Sequence, residues 1–185
     1  PNKRGSAVER ESMEFDVVIV GAGPSGLATA CKLLQLAQAK EQELSVCVVE
    51  KGSEVGAHIL SGAILEPSAL NELFPDWKTM GAPLTAPVVK DEMHILTSAT
   101  GGLCMPNFAI PKPMHNEGNY IVSLGNVCRW LAEQAENLGA EVFPGFAAAE
   151  ILYHEDGSVK GIATGDMGVS EAGDQKDSYM QGMEL

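Results

Sequence analysis

The chain has 185 residues, 45% of them hydrophobic, which is enough for one sizeable core and too few for two full-sized domains. Twelve Lys plus Arg against 25 Asp plus Glu leave a net charge of -13, a field that repels a polyphosphate backbone and excludes nucleic acid as an expected partner. The same charge opposes anionic lipid headgroups, so any membrane contact has to rest on local apolar surface. No run of about 18 apolar residues is present, so no spanning helix is expected. The first residues, with Glu9, Glu11 and Glu14 beside Arg4 and Arg10, do not read as a signal peptide; residues 1–14 read as a flexible leader. Cys31, Cys47, Cys104 and Cys128 are widely separated, with no CxxC pair and no histidine at zinc spacing, so no metal site is expected. Cys31 and Cys47 fall in apolar segments and read as reduced thiols of a cytosol-facing chain.

Phe15 to Val20 is a β-branched run that ends at a glycine-rich turn. From Pro24 the spacing becomes helical, with Leu27, Ala30, Cys31 and Leu34 on one stripe, and the polar stretch from Lys40 to Glu43 ends the helix. Leu44 to Val49 is a near-continuous apolar strand of the kind a parallel sheet buries on both faces. An irregular segment from Gly52 to Gly62 precedes a short helix from about Pro67 to Phe74, stopped by Pro75. Strands are expected at Val88 to Thr97 and Leu103 to Met105 around Gly101 and Gly102, then a long loop marked by Pro106, Pro111 and Pro113. Tyr120 to Ser123 leads into a second helix with the stripe Val127, Leu131, Ala135 and Leu138, capped by Gly139. Strands at Glu141 to Phe143, Ala147 to Tyr153 and Val159 to Thr164 follow, the last two joined at Asp156 and Gly157. After Gly165 the chain is polar and glycine-rich and closes no further element, and it contains no internal repeat.

The segment from Val17 to Gly26 reads VVIVGAGPSG. A lone GxGxxG is a weak signal, but here a strand precedes it, a helix follows, and a second strand ends in an acid, Glu50. Gly21 lets the chain turn tightly, Gly23 lets the backbone approach a pyrophosphate, and Gly26 and Ala30 let the helix pack closely on the sheet. Pro24 and Ser25 open the helix, whose N-terminus offers unpaired N–H groups and the positive end of its dipole to the phosphates. Glu50 accepts hydrogen bonds from ribose hydroxyls and disfavours a 2′-phosphorylated nucleotide. The glycines do not separate FAD from NAD. After Glu50, however, the chain runs through GAHILSG into a strand-rich excursion instead of promptly adding a third parallel strand, the order of FAD enzymes with an inserted segment. The fold class is therefore α/β: an FAD-binding Rossmann-like βαβ domain with an inserted strand-rich segment and a β-meander, incomplete at the C-terminus. The expected domain spans residues 15–165, with the insertion at about 56–117. Residues 166–185 are a polar tail leading into a part the chain lacks.

Several segments are more specific: EFDVVIVGAGPSGLATA from Glu14, VCVVEKGSEVGAHILSGAILEP from Val46, ELFPDW from Glu72, GNYIVSLGNVCRWLAEQAENLGAEVFPGFAAAE from Gly118 and VKGIATGDMG from Val159. On these the chain resembles the electron transfer flavoprotein-ubiquinone oxidoreductase family, over nearly all of its length after the leader. The resemblance implies an FAD enzyme that takes electrons from electron transfer flavoprotein and hands them to ubiquinone at a membrane. It implies a [4Fe-4S] cluster too, but the family's cluster cysteines, second FAD motif and much of its quinone pocket lie in a part this chain lacks. Cluster and ubiquinone are thus expected only with that part, and the chain alone is expected to be inactive. The implied location is peripheral and monotopic, on a bacterial cytoplasmic membrane or the mitochondrial inner membrane. Two other readings stay open: a nucleotide-binding fragment without activity, and a flavin monooxygenase or prenyl reductase of the same fold.

The cofactor-binding set read in this way is Gly21, Gly23, Pro24, Ser25, Gly26, Glu50, Lys51, His58, Ser61, Gly62, Arg129, Phe146 and Ala147, with no catalytic side chain and no metal ligand. By resemblance to related flavoproteins the Arg129 guanidinium reaches the FAD phosphates; the alternative is a solvated helix-surface arginine. Phe146 and Ala147 begin the strand after that helix, where related folds read the adenine with backbone groups. His58 lies near the isoalloxazine or quinone, or is structural. Gly56 to Trp77 is apolar through Ile59, Leu60, Ile64, Leu65, Leu70, Leu73, Phe74 and Trp77, which fits a packed core. By resemblance it is the segment that dips into one membrane leaflet, and this is the preferred expectation.

Overall fold

A computed structural model describes residues 10–170 and 173–185. In chain order its elements are β1 (Val17–Val20), α1 (Pro24–Ala39), β2 (Val46–Glu50), β3 (Ser61–Leu65), α2 (Ser68–Leu73), β4 (Ala86–Pro87), β5 (His94–Leu96), β6 (Gly102–Cys104), β7 (Tyr120–Ser123), α3 (Leu124–Asn137), β8 (Glu141–Pro144), β9 (Ala148–Tyr153), β10 (Val159–Thr164), β11 (Met167–Val169) and β12 (Gln175–Met180). They fall into two compact units. One holds the described residues up to His58 and from Leu131 onward, the other Ile59–Trp130.

The first unit is built on a parallel sheet of order β1-β2-β8. β2 is central and reads VCVVE, and its first four residues are buried, as two-sided burial of a parallel strand requires. α1 buries Leu27, Ala30, Cys31 and Leu34, the stripe its spacing predicts, and Ala37 as well. Burial pushes the Cys31 thiol up to about 11 and the Cys47 thiol up to about 12, so both act as small apolar side chains. At the amino ends of β1 and β2 the Asp16 carboxylate accepts from the Ser45 amide at 2.8 Å and hydroxyl at 2.7 Å. Those bonds hold its carboxyl below the usual carboxylate range. At the far end of α3, Gly139 takes φ +106° and closes the helix as its expected cap.

β9 and β10 form the hairpin expected around Asp156 and Gly157. Beyond Gly165 the structure departs from the polar tail. β11 pairs antiparallel with β12, and the chain then returns along β10, where Ile162 and Leu185 exchange backbone bonds of 2.8 and 2.9 Å. Residues 10–14 of the expected leader are also engaged: Met13 N–H donates to Glu184 O at 3.0 Å, and Arg10 pairs with Glu150 at 3.1 Å. Residues 1–9 lie outside the described residues. A Cβ at Gly161 would come 2.0 Å from Leu185 O, and one at Gly182 would come 2.0 Å from Thr164 O, so both glycines admit a neighbouring backbone. Leu185, Ile162, Cys47 and Val49 form a buried cluster with Phe15, Phe143 and Phe146 packed against it.

The second unit has an antiparallel sheet of order β3-β7-β4 and a separate β5–β6 hairpin. β3 replaces the last residues of the segment expected to be irregular. Gly62, at φ +80°, is the extra residue where the register shifts between Ser61 and Ala63, a bulge that hides the strand's alternation. The long strand expected from Val88 is a loop as far as His94. The Asp91 carboxylate there bonds the backbone and side-chain nitrogens of Asn116, which draws the charged stretch out of the sheet. The core of this unit is aromatic. Trp77 meets Tyr120 edge to face at 5.5 Å and Phe74 meets Trp130 at 5.5 Å, while Trp77 Nε1–H donates to Asn71 Oδ1 at 2.7 Å. Trp77 is 2% exposed. Trp77→Ala is expected to cost about 4 kcal/mol of stability by urea denaturation, the usual penalty for deleting a buried aromatic.

Candidate functional site

At the carboxyl edge of the parallel sheet, β1 ends in the glycine turn. Gly21 N–H donates to Val49 O at 2.7 Å and its φ is +102°, a left-handed conformation that β-carbon-bearing residues rarely take. Gly26, in the first turn of α1, has no room for a side chain: a Cβ there would lie 2.1 Å from Gly21 O and 3.2 Å from Ile19 Cγ2. Gly23 is the opposite case. Its φ is -81° and a Cβ would meet nothing within 4 Å, so neither strain nor crowding within the chain requires glycine. The open space beside it is what a closely approaching ligand would need. Gly23 is also the N-cap of α1, with Pro24 at the first helical position and no side-chain capping bond, which leaves the first-turn amides of Ser25 and Gly26 facing out of the helix.

Glu50 is half-buried at the end of β2, and both of its carboxylate oxygens are engaged. Oε2 accepts from Ala22 N–H at 2.9 Å, inside the glycine turn, and Oε1 accepts from Gly52 N–H at 2.7 Å. Each oxygen keeps a lone pair for a further donor. The loop after β2 is joined in turn to the loop after β8, since Gly145 N–H donates to Gly52 O at 2.7 Å. Ala22, Gly52 and Gly145 are absent from the cofactor-binding set that the sequence gives. They act through backbone atoms, and the only signal was the Pro144-Gly145 turn dipeptide.

The remaining residues of the expected set are placed as follows. Lys51 and His58 are exposed on the loop after β2. Phe146 is half-buried and stacks edge to face on Phe143 at 5.9 Å, so its side chain belongs to the core cluster. Phe146 and Ala147 lie between β8 and β9 instead of opening a strand, and Ala147 O accepts from Gly165 N–H at 3.0 Å. Ser61, Gly62 and Arg129 belong to the second unit. Ser61 opens β3, Gly62 is its bulge, and the exposed Arg129 on α3 donates from Nη2 to Asn126 Oδ1 at 2.5 Å. Among the described residues no three His, Cys, Asp or Glu side chains gather as metal ligands do. Replacing Glu50 by Gln sets an amide N–H₂ against a backbone N–H. Glu50→Gln is expected to lower stability by about 1.5 kcal/mol in urea, and Lys51→Gln, on an exposed side chain, by less than about 0.5 kcal/mol.

The fold agrees with comparisons to known proteins. A family model described as an NAD(P)-binding Rossmann-like domain matches residues 19–74. Among solved structures, a geranylgeranyl bacteriochlorophyll reductase-like protein from Thermoplasma acidophilum superposes with a TM-score of 0.59 at 24% identity, covering 84% of this chain and 35% of that one. Aklavinone-11 hydroxylase, solved with FAD and aklavinone, gives 0.56 at 20% identity, covering 94% and 32%. At these identities the likeness is one of fold. The sequence likeness goes further. The electron transfer flavoprotein-ubiquinone oxidoreductase of Pseudomonas aeruginosa is 65% identical over 179 residues, 96% of this chain and 32% of that protein. The mitochondrial protein of that name from Rattus norvegicus is 55% identical over 182 residues, 98% of this chain and 29% of its own. The chain therefore spans about a third of the length of these relatives, and over nearly all of its own length it is similar to the electron transfer flavoprotein-ubiquinone oxidoreductases.

Proposed function

We propose that this chain holds the ADP half of FAD in an oxidoreductase that passes electrons from electron transfer flavoprotein to ubiquinone at a membrane. The observation that carries the nucleotide reading is the Glu50 carboxylate, fixed between the Ala22 and Gly52 amides beside an uncapped helix N-terminus. Gly23 and the Ser25 and Gly26 amides would hold the pyrophosphate, and Glu50 the ribose hydroxyls. Lys51, His58, Ser61, Gly62, Arg129 and the backbone at Phe146 and Ala147 complete the proposed contacts. FAD, when bound, supplies the electron-transfer chemistry, and the protein's own part is binding, orientation and electrostatic tuning. The high identity to proteins of that name supports the donor and acceptor, which belong to the whole protein. The [4Fe-4S] cluster implied by the resemblance is assigned to none of these four cysteines.

The purified protein should show the absorbance of oxidised flavin, or take up FAD and ADP in calorimetry. With its relatives' full length it should reduce a quinone analogue when supplied with electron transfer flavoprotein. A full-length protein that binds no flavin overturns the proposal.

The membrane part of the proposal rests on exposed apolar side chains of the second unit. No helix among the described residues is long and apolar enough to cross a membrane. Of the segment from Gly56 to Trp77, Leu70, Phe74 and Trp77 are buried in the core, so the proposed lipid contact falls to the exposed side chains. Leu60 and Ile64 are 87% and 48% exposed. The β5–β6 hairpin adds Leu96 at 80% and Leu103 at 65%, and Phe108 follows at 92%. Residues 59–130 also carry only six of the chain's 25 acidic side chains against four of its 12 basic ones, so repulsion from lipid headgroups is weakest there. The pair Leu96→Ser and Phe108→Ser is expected to cut co-sedimentation with phospholipid vesicles by about fivefold, equivalent to about 1 kcal/mol. Unchanged co-sedimentation would remove these residues from the membrane face.

A further inference from the structure

Gly145 lies in the turn between β8 and β9. Its φ is +86°, in the left-handed region, yet a Cβ there would meet nothing within 4 Å. Glycine is therefore required by the path of the backbone and not by crowding. That path aims its N–H at Gly52 O, 2.7 Å away. Gly52 is buried, and its own N–H donates to Glu50 Oε1 at 2.7 Å, while Glu50 Oε2 takes the Ala22 N–H at 2.9 Å. A continuous line of hydrogen bonds thus runs from the turn after β8, through the loop after β2, to the glycine turn after β1.

We propose that Gly145 is a positioning residue for the nucleotide: by holding Gly52 it fixes the direction of the Glu50 carboxylate, and so sets how tightly the ribose hydroxyls are bound. The proposal rests on Glu50 being the ribose acid. A glutamate side chain has three rotatable bonds, and a bond it makes to a ligand is strong only when those rotations are already frozen. Two backbone donors freeze them here. One of the two, Gly52 N–H, sits on the loop after β2, and the bond from Gly145 gives that loop a fixed point next to Glu50. A residue that cannot hold φ +86° turns its N–H away and leaves Gly52 and the carboxylate free to reorient.

The test is calorimetric titration of the purified protein, freed of any flavin, with ADP and with 2′,3′-dideoxy-ADP, in the parent and in Gly145→Val, Gly145→Ala and Gly145→Asn. Asparagine tolerates the left-handed region and serves as the conservative replacement. For Gly145→Val the Kd for ADP is expected to rise about tenfold, with a smaller rise for Gly145→Ala and little for Gly145→Asn. The Kd for the dideoxy nucleotide should not change in any of them, because it lacks the hydroxyls that Glu50 holds. Equal weakening for both nucleotides, no weakening, or a Gly145→Asn loss as large as that of Gly145→Val overturns the proposal. A parent protein that binds the two nucleotides alike, or neither, instead overturns the ribose role of Glu50 and this inference with it. Should Gly145→Val fail to fold, Gly145→Ala carries the same comparison.

Discussion

One carboxylate fastens the carboxyl edge of the parallel sheet. Loops that leave adjacent parallel strands have no ladder to share, and their amides need other acceptors. Glu50 is such an acceptor for the glycine turn and for the loop after its own strand, through Ala22 and Gly52. It can reach both only because Gly26 lets α1 sit against Gly21 and because Gly21 bends sharply out of β1. The same acid is then half-buried beside the helix N-terminus, with lone pairs remaining. The side chain that joins these loops is also the one proposed to hold the ribose, so structural demands on Glu50 stand beside any chemical ones.

The βαβ unit was legible because its signals are periodic and reinforce each other. VVIV and VCVV are continuous apolar runs, Leu27, Ala30, Cys31 and Leu34 recur at helical spacing, and glycines fall where a turn and a close approach need them. Period fails where one residue is added or where burial is partial. The bulge at Gly62 breaks the alternation of β3, and β12, reading QKDSYM, has too few apolar residues to mark a face. The strand-like return of residues 183–185 along β10 is carried by backbone bonds, and its only trace in the sequence is glycine at 161 and 182, where the reason for glycine is another strand's carbonyl. The candidate site divides in the same way. The glycine motif and Glu50 are side-chain and spacing signals, whereas Gly52 and Gly145 work through peptide groups, which the sequence marks only where a turn requires glycine, as at Gly145.

The apolar stretch from Gly56 to Trp77 shows why hydrophobic content alone does not assign a surface. A strand alternates, so Ile64 on β3 is exposed opposite Ile121 on β7, which is also exposed. Beyond Pro67 the chain is helical and irregular, and Leu70, Phe74 and Trp77 turn into the aromatic core of the second unit. One run of similar letters thus has two fates, decided by the local geometry that follows each residue.

The β5–β6 hairpin is held by three paired positions, His94 with Cys104, Ile95 with Leu103 and Leu96 with Gly102, and all six residues are exposed. A two-stranded hairpin without a packed face is marginal in water, so it opens locally at far smaller cost than the buried β2. A surface that covered Leu96 and Leu103 would therefore have to order the hairpin as it bound, and part of the free energy gained by burying them would go into that ordering. A contact made at this site would consequently be weaker and more readily reversed than its apolar area alone would indicate.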